Sequence, residues 1–545
     1  MKKFKTDLGE YIHISTNEEP LGSGLEAKIY NIIGRQKEVA KIFQKKLDES
    51  EQEFNRELIE KEKKIKYMVK KCPKGSLSNP IKGKWKNEEV DCINIAWPIR
   101  LLYDEENKFS GYIMPKINTL CKFKQFLIKR KKYFPNMTKR KLYIIAYNLI
   151  NGFKNIHDNK VVICDGNPDN FLVNSNGLIS FIDTDSYQLK DELSGIFKSY
   201  VFTKEVNPPE YSEDIFNGVF TEEGDCFILA IMLFQLLMNG AHPFVGRILK
   251  KNIDNQDIEI TAIKNGWFAY EANDYLKAPS NAPNYIEEIP QNLRRLFHRC
   301  FCDGIKQPNK RPTAKEWLTE IENVMENATD KTIESDESFN EKKKFPFILL
   351  MDITLSMKKF KNSLQKGYDV MLNNLRKLDH SEQIDFCLIE FAYPPRVKER
   401  FKSVSETSSY KIEFSGSFTS ISGALDLALD ELRKRKLYYQ EKEINYKCPK
   451  IILMTDGISY GKEEDKNLKK TLSKIESMKN QIEIECIAIG ELEPEPKKEQ
   501  DKILKSIATR KKYIRLSENA NDDDFKSLFE WVSVNVSSVN IDLRK

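Results

Sequence analysis

The stretch from Ile156 to Asp183 is the strongest constraint on what this chain can fold into. A long apolar helical pattern ends at Ile156-His157 and gives way to Val161-Val162-Ile163-Cys164, then to the polar run Asp165-Gly166-Asn167-Pro168-Asp169-Asn170. Two short strand patterns follow, Phe171–Val173 and Leu178–Ile182, joined by Asn174-Ser175-Asn176-Gly177, a strong turn signal. A hairpin there returns Asp183 towards Asn170. It sets an amide oxygen beside a carboxylate, the sparse protein donor set that magnesium takes when phosphate oxygens supply the rest, and leaves Asp165 free to act as a base.

Upstream, Leu21-Gly22-Ser23-Gly24 lies before the strand patterns Ile29–Ile33 and Val39–Phe43. Gly22 and Gly24 would let the backbone approach a nucleotide's phosphates unobstructed, although on their own they read better as a plain hairpin turn. Val39-Ala40-Lys41 adds a lysine able to neutralise phosphates if a helix carboxylate holds it. The next helical pattern, with Phe54, Leu58, Ile65 and Met68 on one face, offers Glu62 for that purpose, with Glu57 and Glu60 less favoured by spacing. An exposed helix glutamate is the competing reading of Glu62. Further strands are expected near Ile93–Leu102 and Gly111–Met114, and helices beyond Thr138. A small strand-rich lobe followed by a larger helical lobe is an α+β layout.

Residues 326–344 (ENATDKTIESDESFNEKKK) carry almost no aliphatic side chains and read as a solvated, charged linker. The expected organisation is therefore a domain at 1–325, a linker at 326–344 and a second domain at 345–545. In the second domain, apolar runs Phe345–Met351, Ile384–Phe391, Ile451–Met454, Ile482–Ile489 and Tyr513–Leu516 alternate with helical patterns such as Leu364–Leu378 and Ile421–Leu432. That is the pattern of a doubly wound, mostly parallel α/β sheet, whose ligand sites lie at the carboxyl ends of the strands. There stands Asp352-Ile353-Thr354-Leu355-Ser356, one carboxylate and two hydroxyls at alternate positions, three oxygen donors for a hard cation. Two other loops, Gly416-Ser417-Phe418-Thr419 and Thr455-Asp456-Gly457, add to it.

Composition excludes several classes. Of 545 residues, 40% are hydrophobic and 31% charged, which argues against both a disordered chain and a membrane protein. The longest apolar stretch, Cys226–Met238, is too short for a bilayer span and reads as a buried helix. No charged-then-apolar leader opens the sequence, so a soluble, cytoplasmic protein is expected. The net charge of +6 is nearly balanced over this length, and the Lys/Arg runs lie in or beside helical patterns, as solvated faces do; neither nucleic acid nor membrane is an expected partner. Ten scattered cysteines and five histidines show no zinc-ligand spacing, and reduced thiols are expected.

These motifs, in this order, resemble the eukaryotic-type protein kinase fold over about Asn17 to Met325. Asp165 and Asn170 have the spacing of the catalytic-loop Asp and Asn, and Asp183 resembles the metal-binding Asp. Pro208-Pro209-Glu210 resembles the Ala-Pro-Glu motif, with Arg311 its expected ion-pair partner; Asp225 resembles the helix-borne anchor, and Met114-Pro115-Lys116 the hinge that reads adenine. Ile95-Ala96-Trp97-Pro98, Gly111-Tyr112-Ile113-Met114-Pro115 and Asp183-Thr184-Asp185-Ser186 are similar to a bacterial kinase-like branch often joined to von Willebrand A domains. The departures are Ile163-Cys164 for His-Arg, Asn167 for the lysine after the base, Thr184-Asp185 for Phe-Gly and Ala27 for the third loop glycine.

The region Phe345–Ser538 in turn resembles von Willebrand factor A domains of the bacterial tellurite-resistance type. Asp352, Thr354, Ser356, Thr419 and Asp456 match all five ligand positions of the metal-ion-dependent adhesion site (MIDAS), where a partner's Asp or Glu completes the coordination. The resemblance implies an ATP- and Mg²⁺-dependent serine/threonine protein kinase, a phosphotransferase acting in signalling. Lys41, Glu62 and Asp165 would be catalytic, and Gly22, Gly24, Lys41, Met114, Lys116, Asn170 and Asp183 would bind nucleotide and metal. The A domain, holding Mg²⁺ or another divalent cation, would recruit a protein partner or substrate. The alternative is a nucleotide-binding pseudokinase scaffold acting through the A domain.

Overall fold

The computed structural model describes all residues except 1, 16–17, 25, 48, 72–80, 86–87, 93–94, 192–194, 200, 212–215, 217, 251–252, 327, 329–342, 379, 409, 417, 458–461, 479, 538–539 and 543–545; for 81–85, 88–92, 462, 537 and 540–542 it describes the backbone alone. The chain forms two compact units, one of Met1–Lys251, Glu259–Glu341 and Val539–Lys545, the other of Asn252–Ile258 and Lys342–Ser538. The division differs from 1–325 and 345–545 in two respects. The short segment Asn252–Ile258 joins the second unit, and the chain's last residues join the first. Most of the expected linker lies outside the described residues.

The first unit opens with a seven-stranded antiparallel sheet. Its strands are β1 (Lys2–Thr6), β2 (Tyr11–Ile14), β3 (Gly22–Ser23), β4 (Ala27–Ile32), β5 (Arg35–Phe43), β6 (Arg100–Tyr103) and β7 (Phe109–Pro115), in the order β2-β1-β6-β7-β5-β4-β3. Alternation puts Phe4, Ile12, Ile14, Ala40, Leu102 and Ile113 on one buried face. Helix α1 (Glu51–Lys70) begins at a capping box of Ser50 and Glu53 and buries Lys64, Ile65 and Met68. Its far end is tied down by Trp97, whose indole donates to the Met68 carbonyl at 2.8 Å.

The helical lobe is built on α2 (Lys139–Asp158) and α3 (Glu222–Leu237). α3 is apolar on every side and buried along nearly its whole length, the helix expected at Cys226–Met238. Between them the chain forms the expected hairpin, β8 (Phe171–Val173) and β9 (Ile179–Phe181) in antiparallel register, Phe171 opposite Phe181. β10 (Val201–Thr203) pairs antiparallel with Asn540–Asp542, a strand the sequence did not announce.

The second unit is an open six-stranded sheet of β11 (Phe345–Asp352), β12 (Ile384–Phe391), β13 (Arg396–Ser403), β14 (Lys450–Thr455), β15 (Glu483–Ile489) and β16 (Ile514–Leu516), in the order β13-β12-β11-β14-β15-β16. All neighbours are parallel except β13, the antiparallel edge. The central strands are buried on both faces because two apolar clusters cover them. One holds α4 (Lys361–Arg376) and α7 (Asp522–Ser537), the other α5 (Ile421–Glu441) and α6 (Pro494–Ile507). β11 sits centrally and ends on Asp352. No helix among the described residues of the whole chain is long and apolar enough to cross a membrane.

Candidate active site and cation site

The hairpin brings the first set of residues together. Ile182 N–H donates to the Asn170 carbonyl at 2.9 Å, so Asp183 emerges beside Asn170. Asn170 Nδ2 donates to Asp165 Oδ2 at 3.0 Å, which turns its Oδ1 away from Asp165, as a metal-facing amide requires. The other Asp165 oxygen accepts from Thr203 Oγ1 at 2.8 Å and from Asn167 N–H at 3.1 Å. Burial pushes the Asp165 carboxyl up to about 6; the Thr203 hydroxyl pulls it back and the Asp183 charge adds to the rise.

The loop before Asp165 is fixed from α3. Asp225 accepts from Ile163 N–H at 2.7 Å and Cys164 N–H at 3.1 Å, and His157 Nε2 lies 3.0 Å from the same carboxylate. Cys164 is thereby held at φ 70°; Asp183, whose carbonyl accepts from Ser186, stands at φ 61°, and both are left-handed conformations that non-glycine residues adopt only when their surroundings over-determine them. Gly166 passes so close to α3 that a Cβ there would meet Ile228 Cγ2 at 2.3 Å. Arg311, buried, forks onto Glu210 at 2.6 and 2.9 Å, the expected pair.

Lys41 differs from expectation. Its Nζ lies 2.5 Å from Asp183 Oδ1 and 2.6 Å from Asp185 Oδ1, and Asp185 also accepts from Tyr112 Oη at 2.7 Å. Burial alone would depress the Lys41 ammonium, but the two carboxylates hold it well above its usual range. Glu62, chosen from the sequence as the brace, instead accepts from Tyr103 Oη at 2.9 Å. The reason is helical register. Phe54, Leu58, Ile65 and Met68 form the inward face, with Glu62 and Lys64 on its opposite flanks; the Glu62 flank meets Tyr103 of β6, and Lys64 is on the buried flank. Helical spacing did not distinguish these positions; the sequence feature bearing on the partner of Lys41 is the Asp at position 185.

Gly22 pairs with Ile29 across β3 and β4, and Gly24 N–H donates to the Ala27 carbonyl at 3.0 Å, so the glycine segment is a hairpin turn. Met114 lies opposite Val39 at the end of β7; the exposed Lys116 donates its ammonium to Asn31 at 2.9 Å and its N–H to the Lys37 carbonyl. The zinc-type clusters absent from the sequence pattern have one spatial counterpart among the described residues: Glu271, His298 and Cys302 group together, with His298 Nδ1 2.7 Å from Glu271. Glu271 is too distant in sequence for a spacing argument to find it.

In the second unit all five oxygen-bearing residues converge at the carboxyl end of the sheet. Thr354 Oγ1 donates to Asp352 Oδ1 at 2.7 Å and lies 3.0 Å from Ser356 Oγ, which donates to Asp456 Oδ1 at 3.0 Å. Thr455 Oγ1 holds the other Asp352 oxygen at 2.6 Å, and the Thr419 hydroxyl also reaches this carboxylate. Burial raises Asp352; burial and the Asp352 charge push Asp456 up to about 6. Two buried carboxylates sharing hydroxyls form a donor set suited to a hard divalent ion. Ser356 is exposed, so the cluster opens to solvent.

Comparison with known proteins places the first constellation. Residues 103–321 match the family model described as the protein kinase domain. The chain is 26% identical over 239 residues to the protein kinase YegI of Escherichia coli strain K12, covering 42% of this chain and 36% of that protein. It is 26% identical over 216 residues to the mitogen-activated protein kinase pmk-1 of Caenorhabditis elegans, covering 37% of this chain and 53% of the relative. The solved ROP18 kinase domain in complex with AMP-PNP and sucrose aligns over 60% of this chain and 85% of that one, at 15% identity and a TM-score of 0.39. The matches support a protein kinase-like fold for residues 103–321, and the chain spans little more than a third of the YegI relatives' length. The family match starts at Tyr103: it contains Asp165, Asn170, Asp183, Glu210, Asp225 and Arg311 and leaves Lys41 and α1 outside.

Proposed function

We propose that the first unit transfers the γ-phosphoryl group of MgATP to serine or threonine hydroxyls of a protein. The observation that carries this reading is the convergence of Lys41 on Asp183 and of Asn170 on Asp165, with the hairpin setting Asp183 beside Asn170. Asp165, steadied by Asn170 and Thr203, is placed to orient the acceptor hydroxyl and take its proton. Lys41 supplies positive charge for the phosphates. Asn170 Oδ1 and Asp183 are the groups that would hold Mg²⁺, which when bound neutralises charge on the phosphates. The glycine turn at Gly22–Gly24 would cover the nucleotide, and the backbone from Met114 to Lys116 would border its base.

The second unit reads as a von Willebrand A-type recruitment module. Asp352, Thr354, Ser356, Thr419 and Asp456 would hold Mg²⁺ or another divalent cation, with a coordination position left for a partner's Asp or Glu. Leu355, Tyr393 and Phe418 are among the most exposed large apolar side chains of the unit and belong to loops around this cluster. They favour a partner whose carboxylate has an apolar neighbour. Tethering would raise the effective concentration of a chosen substrate.

Incorporation of γ-labelled phosphate by the purified chain and by Asp183→Asn, with Mg²⁺ or Mn²⁺, tests the transferase reading. Labelling in the wild type that vanishes in Asp183→Asn supports it. ATP-dependent stabilisation without any labelling favours the pseudokinase scaffold, for which Ile163-Cys164 in place of His-Arg and Asn167 in place of lysine are the motivating features.

A further inference from the structure

We propose that Asp185, two residues after the candidate metal carboxylate Asp183, is the positioning residue that braces Lys41, with lysines of α1, not a glutamate, turned towards it. The inference rests on the transferase reading for its functional meaning but stands on its own geometry. A lysine that must keep one position against phosphates needs a partner committed to it. Asp183 is poorly suited, because its side chain is 42% exposed and is the carboxylate that would face the cation. Asp185 is 11% exposed, and its Oδ1 receives both Lys41 Nζ and Tyr112 Oη. Lys41 and Tyr112 are direct register partners on β5 and β7, so the sheet itself delivers the two donors to one oxygen.

The turn that carries both carboxylates is rigidly held. Thr184, fully buried, donates its hydroxyl to the Ala96 carbonyl at 2.9 Å. Ser186 returns its N–H and its hydroxyl to the Asp183 carbonyl at 3.0 and 2.7 Å, and Tyr187 N–H closes on Thr184 at 3.1 Å. The helix complements this turn. Its inward face presents Lys61, paired with Glu26 at 2.7 Å, and the buried Lys64, which interacts electrostatically with Asp185 and Asp183. Glu62 lies off that face on Tyr103. Lys41, Lys61 and Lys64 all place positive charge near the buried Asp185. A loop Asp with a helix Glu would leave an uncompensated negative charge inside. One turn thus orients the phosphate lysine and the metal carboxylate together, without dependence on the placement of a carboxylate on α1.

The test compares Asp185→Asn, Lys41→Met, their double mutant and Glu62→Gln in the full chain, by MgATP affinity from nucleotide-dependent melting and by kcat and KM for ATP. Asp185→Asn should lower affinity for ATP at least ten-fold and reduce kcat, Glu62→Gln should stay within two-fold of wild type, and the double mutant should be no worse than Lys41→Met alone. That non-additivity is the signature of one residue acting through another, which a merely structural role would not give. Additive losses, or a ten-fold loss in Glu62→Gln, would overturn the brace. A wild type that binds ATP yet transfers no phosphate would sink the transferase reading while the affinity cycle still decides the brace. A wild type that binds no ATP would overturn both.

Discussion

At the scale of the residue, the candidate site depends on a few side chains held by more partners than any one interaction needs. Asp165 has three donors around it, and removing its charge leaves the loop's hydrogen bonds largely intact. Asp165→Asn should therefore abolish phosphate transfer while ATP still raises the melting temperature; retained transfer in that variant would remove Asp165 from the chemistry. Gly166→Ala acts differently. Its new methyl would press on Ile228 and Val206, whose Cγ2 atoms would lie 2.3 and 2.9 Å from it. Overpacking of this kind costs about 1–3 kcal/mol, and the displaced loop should lower kcat as well as stability. Arg311→Met strips the partner from Glu210 and vacates the carbonyls of Gly304 and Glu223. Because Glu210 is partly exposed and can turn to water, the loss should fall near the low end for a broken buried pair, about 3 kcal/mol, read by urea unfolding.

At the scale of the element, legibility followed the range of the signal. The β8–β9 hairpin, α3 and the parallel strands of the second unit declare themselves locally, by turn residues or by continuous apolar runs, and the structure ends them within a few residues of expectation. The edge strand β13 did not. Arg396-Val397-Lys398-Glu399-Arg400 alternates charged and half-buried side chains, as a protected sheet edge does, and that polarity hides a strand among loops. The oxygen cluster at Asp352 was readable because two of its three loops follow a strand directly and the third precedes a helix. The partner of Lys41 was not, since spacing from a lysine says nothing about which face of a helix a glutamate occupies. Helix contacts give a further prediction. Gly367 on α4 lies where a Cβ would meet Phe529 of α7 at 2.2 Å, which is how these two helices approach closely. Gly367→Ala should destabilise the second unit by about 1–3 kcal/mol, and a neutral effect on its melting would show that α7 yields easily.

At the scale of the whole molecule, each unit has its own core and its own candidate ligand, so each has its own linkage between binding and unfolding. A ligand that binds only the folded form at 100 times its Kd stabilises by about 2.7 kcal/mol, and for a unit of 150–250 residues each kcal/mol moves Tm by about 2–4 °C. Scanning calorimetry of the full chain should resolve two transitions. Mg²⁺ alone should raise the one belonging to the second unit, because a cation relieves the enforced proximity of the buried Asp352 and Asp456, and Asp456→Asn should erase that shift. Subsequent ATP should raise the other transition, in wild type and in Asp456→Asn alike, and lose its effect in Lys41→Met. A Mg²⁺ shift that survives Asp456→Asn would place the cation elsewhere and leave the five-oxygen cluster a hydrogen-bonded turn; a shift that disappears would make the second unit a cation-dependent module.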